Sequence, residues 1–231
     1  MTKPEHIDPK RAFFGRRKGH PLRASQTALF ETLLPRIAVG TDSAAPSDLR
    51  HLFEAVDDVR LEIGFGGGEH LLAQAEAHPC TGFIGSDGFV NAVAKALAGI
   101  DARGLGNVRL HFGDAAHLIE WLPALSIARI DLLYPDPWPK KRHWKRRFVQ
   151  DQSLTQMARV LRPGGEFRFA TDIPDYAAWT LERVLRSPDF VWTAETADDW
   201  RSPWAGFTRT RYEAKAVREG RVPAYFIFRK T

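Results

Sequence analysis

Leu61-Glu62-Ile63-Gly64-Phe65-Gly66-Gly67-Gly68-Glu69-His70 reads as a strand that runs into a glycine turn and then a helix. Glycine at Gly64 and Gly66 permits positive φ and lets a ligand approach the backbone closely. Outward from this stretch the pattern alternates. Val59 to Phe65 is the first strand, followed by a helix near 68–78. Gly82 to Ser86 and a helix at 88–100 come next. Val108 to Phe112 then precedes a short helix reaching 122. Ile130 to Tyr134 leads to a helix at 146–161, and Glu166 to Ala170 to a helix at 174–187. Repeated β-α units of this length imply an α/β fold, a parallel sheet with helices on both faces. Phe190 to Thr193 and Ala224 to Arg229 read as two closing strands, with no helix of comparable length between them and an antiparallel hairpin at the edge.

Working residues of such sheets gather at the carboxyl ends of the strands. Glu62, Asp87, Asp114, Asp136 and Asp172 follow strands one to five in that order, so five strands each bring a carboxylate to one rim. Any single one of them can equally be a helix cap. Asp87, 25 positions after Glu62, is placed to bind both hydroxyls of a ribose. A nicotinamide or flavin dinucleotide and S-adenosylmethionine both fit that frame. Glu69 stands where a dinucleotide fingerprint wants glycine, and a carboxylate there repels a pyrophosphate. Glu62 suits a ligand with an ammonium and a sulfonium, and Gly113-Asp114-Ala115 offers an acceptor for an adenine amino group. S-adenosylmethionine is the better match.

After the fourth strand comes Tyr134-Pro135-Asp136-Pro137-Trp138-Pro139-Lys140-Lys141-Arg142-His143-Trp144-Lys145-Arg146-Arg147. Two prolines restrict the backbone around Asp136. Cations interleaved with aromatics suit phosphates and exposed bases. Charge is segregated along the chain. Residues 1–23 hold seven Lys/Arg and two acids, residues 140–147 six and none, and residues 200–231 eight and two. The rest carries 12 basic and 24 acidic residues within a net charge of +5. An acidic body with basic arms points to a polyanionic partner, nucleic acid.

The chain of 231 residues suits one domain with extensions. Residues 1–50 read as a basic N-terminal arm and linker, broken by Pro4, Pro9, Gly15, Gly19 and Pro21, with a polar stretch at 40–48. Residues 51–231 form the catalytic domain with its basic C-terminal segment. No apolar run approaches the ~20 residues that span a bilayer. The N-terminus lacks the apolar core of a secretory signal. Cys80 is the lone cysteine, so an internal disulfide is excluded and a reducing cytoplasm is expected. His70 and His143 have no second ligand at metal-binding spacing, so no metal is expected. No membrane and no obligate protein partner is indicated.

Glu62-Ile63-Gly64-Phe65-Gly66, the Pro135-Asp136-Pro137-Trp138-Pro139-Lys140 loop, Thr171-Asp172, and Thr210-Arg211-Tyr212-Glu213 with Lys215 and Glu219-Gly220 resemble the bacterial tRNA (guanine-N7-)-methyltransferases. The likeness runs from about residue 58 to the C-terminus. It implies a class I methyltransferase (Rossmann-like) fold, with a mostly parallel seven-stranded sheet and an antiparallel closing strand. It also implies S-adenosylmethionine as donor and the variable-loop guanine at position 46 of tRNA as acceptor. Donor-binding roles carry over to Glu62, Gly64, Gly66, Asp87, Asp114 and Asp136, and substrate roles to Lys140, Asp172, Thr210, Arg211, Tyr212 and Glu213. Asp87 departs from the glutamate usual at that place. Asp136 is the candidate catalytic residue, with donor binding alone as the other reading. Glu213 can instead pair with Lys215 or Arg211 as surface charge. Arg16, Arg17, Lys141, Arg142, Lys145, Arg146 and Arg147 are assigned to RNA backbone, where contacts position without reading sequence.

Overall fold

The computed structural model describes Gly15, Arg17 and residues 19–231. Its centre is a seven-stranded sheet: β1 (Asp58–Ile63), β2 (Thr81–Ser86), β3 (Val108–His111), β4 (Ile127–Leu133), β5 (Leu161–Thr171), β6 (Phe190–Trp192) and β7 (Ala224–Lys230). The strand order is β3-β2-β1-β4-β5-β7-β6. The first five run parallel, while β7 is antiparallel to both β5 and β6. Order reverses at β1 and β4, which makes the carboxyl ends of these two strands the crevice of the fold.

Helices α3 (Glu69–Ala77), α4 (Val90–Arg103), α5 (Ala115–Trp121), α6 (Asp151–Val160) and α7 (Pro174–Arg186) connect the parallel strands. Before β1 lie α1 (Ala24–Thr32) and α2 (Leu34–Ile37), and between β6 and β7 lie α8 (Asp198–Arg201) and α9 (Arg211–Arg218). All seven positions of β4 are buried, as expected of a strand covered on both faces. One core cluster includes Leu61, Ile130, Phe167 and Phe226. A second holds Leu71, Phe83, Val93 and Leu97. The registered pairs Phe167↔Phe228 and Phe169↔Phe226 weld β5 to β7, all four rings being at most 1% exposed. Burial of each such ring is worth roughly 1.5–3 kcal/mol.

Three expectations change. Residues 24–39 are part of the body rather than arm and linker: α1 packs on α4, Ile37 joins the second core cluster, and Val39 N–H donates to Leu110 O. The helix expected from 146 starts at Asp151, because Lys141–Arg146 winds as a 3-10 segment and Arg147 is extended. Gln150 N–H is met by Ser153 Oγ at 2.9 Å, which begins α6 there. α9 was not expected; of its eight residues only Glu213 and Ala216 are buried. The closing strands do pair antiparallel, but β7 inserts between β5 and β6.

Candidate active site

The glycine turn leaves β1 with Gly64 at φ 69° and Gly66 at φ 56°, both in the left-handed region. A side chain at Gly64 would meet nothing within 4 Å, so the loop opens onto free space there. At Gly66 it would lie 3.4 Å from the Tyr212 ring and 3.8 Å from the Arg211 guanidinium. The start of α9 thus covers the turn.

Asp87, just past β2, braces the turn from the other side. Its Oδ2 accepts from Gly66 N–H at 2.9 Å and its Oδ1 from Phe89 N–H at 2.8 Å. Burial pushes its pKa up, the two backbone bonds oppose this, and the charges of Asp136 and Arg211 reach it with opposite signs. Gly66 bonds Asp87 and faces Arg211, and Asp136 follows β4, the neighbour of β1, so the three share one rim. A carboxylate has about four acceptor positions; two are used, and two remain for a pair of hydroxyls.

Asp136 follows β4 in an unusual backbone. Tyr134 has φ 50° and Trp138 φ 43°, two of the four non-glycine residues with positive φ among the described residues. Such outliers persist only where surroundings hold them. Asp136 is solvent-reached, yet the walls about its carboxylate push its pKa above the ordinary range. Asp114 caps α5, its Oδ1 accepting from Ala116 N–H at 2.9 Å. Asp172 is held by Arg221, whose guanidinium also grips Glu219.

Glu62 lies beneath the turn, only 5% exposed, with its Oε2 2.7 Å from His70 Nδ1. Burial pushes the Glu62 carboxyl up; the His70 imidazole, which burial alone would lower, is held up by Glu62. A strand acid meeting a helix histidine across a turn has no sequence signature, and His70 was read only as an unpartnered metal candidate. Beside the pair, Arg129 Nε donates to Asp131 at 2.8 Å and its Nη2 to Gln74 at 2.9 Å. Gln74 donates in turn to Gly206 O at 2.8 Å, so a buried polar chain joins α3 and β4 to the segment before α9.

That segment corrects two assignments. Thr210 Oγ1 caps α9 by accepting from Glu213 N–H at 3.1 Å. Glu213 is 1% exposed and its Oε1 accepts from Tyr225 Oη at 2.7 Å. It is neither open to substrate nor paired with Lys215 or Arg211; the cation nearest it is Arg209, at 3.8 Å. Arg211 and Tyr212 are exposed on the rim.

The basic loop divides. Lys140, Lys141, Arg142 and Lys145 are exposed. Arg146 is half-buried with its guanidinium 4.9 Å from the Trp138 ring centre. Arg147, assigned to RNA backbone, is instead inside the protein, where no phosphate reaches it. Arg17 is exposed, and its carbonyl accepts from Val90 N–H at 3.1 Å, docking the arm on α4. Arg16 lies outside the described residues. Among the described residues no three metal-binding side chains gather, and no helix is long and apolar enough to cross a membrane.

S-adenosylmethionine fits this rim: the open glycine turn, the spare acceptor positions of Asp87 and the acids beside them match its backbone-approaching chain, ribose hydroxyls and cationic groups.

A family model described as "Putative methyltransferase" matches residues 57–225. A protein of Rhodopseudomonas palustris (strain BisA53), named tRNA (guanine-N(7)-)-methyltransferase, is 62% identical over 95% of this chain and 88% of its own. One of the same name from Bradyrhizobium diazoefficiens (strain USDA 110) is 58% identical over 99% and 97%. Among solved structures, the 16S rRNA methyltransferase KamB aligns with TM-score 0.54 at 20% identity, over 82% of this chain and 95% of its own. TrmN from Thermus thermophilus aligns with the same score and identity over 79% and 47%. These two likenesses bear on the fold, that of the class I methyltransferases.

Proposed function

This chain belongs to the tRNA (guanine-N(7)-)-methyltransferase family, and we propose that it methylates N7 of the guanine at position 46, in the variable loop of tRNA. Bound S-adenosylmethionine supplies the electrophilic methyl group on a sulfonium. The observation that carries this reading is Asp136, on a proline-fixed loop with positive φ on either side, after the strand next to β1 with its glycine turn and Asp87.

Guanine N7 has an in-plane lone pair and no proton, so attack needs no general base. It needs alignment and management of the positive charge that passes to the base. Asp136 performs both tasks in this reading, accepting from the N1–H and N2–H edge of guanine and stabilising the cationic product. Asp87 holds the ribose of the donor, and Gly64 and Gly66 admit its chain. Glu62 acts from beneath the turn, and Asp114 lies at the adenine end while capping α5. Asp172 and Lys140 flank the base, with Arg221 released from Asp172 or carried with it. Arg211 and Tyr212 close over the turn, and Thr210 and Glu213 hold the helix that presents them. Lys141, Arg142, Lys145, Arg146 and Arg17 meet tRNA phosphates, as does Arg16 in the arm. The cytoplasm is the compartment this substrate requires.

The test is transfer of labelled methyl from S-adenosylmethionine to unmodified tRNA, then borohydride and aniline cleavage, which opens 7-methylguanine. Scission at guanine 46 is expected. Scission elsewhere overturns the position, labelled RNA without scission overturns N7, and absence of label overturns the reading.

A further inference from the structure

The last arginine of the basic loop does not belong with the others. Arg147 has a side chain with no exposed surface. Its guanidinium lies 5.0 Å from the Trp144 ring centre and 4.9 Å from those of Tyr176 and Trp179. Nε donates to Pro137 O at 2.9 Å, and Nη2 to the carboxylate of Asp175 in the first turn of α7. Arginine cannot shed its proton, so its burial stands only if the charge is matched. Aromatic faces and one carboxylate match it here.

We propose that Arg147 is a positioning residue for Asp136, an inference that rests on the catalytic role given to that carboxylate. Pro137 has its φ fixed by its ring, and its carbonyl is bonded by Arg147. The peptide that follows Asp136 by one residue is thus held at both ends, and the far end of the loop orients the peptide that leads into Trp138, at φ 43°. Asp175 lies three residues after Asp172. The same guanidinium therefore ties the rim of β4 to that of β5. Only a planar fork that stacks and donates in two directions does this; lysine carries the charge but not the geometry.

The experiment compares Arg147→Lys, Arg147→Met and Asp175→Asn with the wild type in the full chain. It measures methyl transfer to tRNA, the salt dependence of tRNA binding, and hydrogen exchange by peptide. For both Arg147 variants kcat falls about tenfold or more, within the roughly hundredfold that a 1 Å misplacement can cost. KM for tRNA and the salt slope stay within about twofold. Exchange rises in the 134–147 peptides and not across the sheet. Asp175→Asn, which alters an exposed partner, gives a smaller change in the same direction and serves if an Arg147 variant does not fold. Raised KM with kcat kept makes Arg147 a phosphate ligand and overturns the proposal. Unchanged kcat and exchange, or exchange raised throughout the sheet, also overturns it. A wild type without methyl transfer fails the underlying reading instead, and the exchange pattern still reports the loop.

Discussion

Glu62 and His70 are eight residues apart in sequence and face each other inside the protein, Oε2 to Nδ1, at 2.7 Å. Both pKa values are raised, Glu62 by burial and His70 by the Glu62 charge overcoming burial. The folded state therefore keeps protons that the unfolded chain releases. The His70 contribution to stability is complete below about pH 6.5, the ordinary histidine value, and is lost as pH rises through the folded pKa. In Glu62→Gln the charge that raises His70 is gone, the opposed charges of Asp131 and Arg129 remain and burial dominates, so the slope reverses and stability increases as pH climbs towards about 6.5. Thermal melts of both proteins from pH 5 to 9 check this. Parallel curves would remove the pair as the cause.

Asp136→Asn is expected to lower kcat by about 10²–10³, the range seen when one transition-state contact is lost, while tRNA affinity changes by less than about twofold because the exposed cations supply it. In the wild type, kcat should fall on acidification at a pH above the ordinary carboxylate range, as the upward shift of Asp136 requires. Loss of tRNA binding in the variant, with normal turnover at saturation, refutes this role.

Asp87→Asn leaves one acceptor oxygen for duties now met by two. Donor affinity should drop about tenfold, ~1.4 kcal/mol, and the glycine turn should loosen as the Gly66 bond weakens. Calorimetric titration of S-adenosylmethionine measures it; an unchanged Kd places the ribose elsewhere.

The buried position of Glu213 makes it structural before anything else. Glu213→Ala takes the carboxylate acceptor from the Tyr225 hydroxyl, at a cost of about 1–3 kcal/mol for a lost buried hydrogen bond to a charged group. Denaturant unfolding should register that loss whether or not tRNA is present. A variant with unaltered stability and raised KM would restore the substrate role to Glu213.

Replacing Lys141, Arg142 and Lys145 by alanine should flatten the dependence of log K on log salt by about 2–3, at roughly 0.7–0.9 per phosphate contact. Filter binding across a salt series reads the slope directly. An identical slope would return the three side chains to ordinary surface.

Much of this architecture is visible in the chain because its signals are local. The β-α alternation, the glycine turn and the acids at strand ends depend on residues close together in sequence. Arg147 was misplaced because a charge run looks the same from outside whichever member turns inward. What buries it is Trp179 and Tyr176, some thirty residues on. α9 does carry a local signal, Thr210 and Glu213 at the spacing of a helix start, but it is short and buries only Glu213 and Ala216. The Glu62–His70 pair spans a strand, a turn and a helix, and only their relative placement brings the two together.

The insertion of β7 between β5 and β6 leaves β6 without a strand to pair with until the last strand is made. A chain emerging from the ribosome presents Phe190–Trp192 before Ala224–Lys230, yet the earlier strand has no neighbour until the later one docks. Strands β1 to β5 can align as they appear, each beside a strand already made or about to be made. The edge cannot. α9 leads directly into β7, so the cover over the glycine turn is completed at the same moment as the sheet. A nascent chain can therefore hold most of its core while the glycine turn is still uncovered, and gains its cover only when the final strand lands.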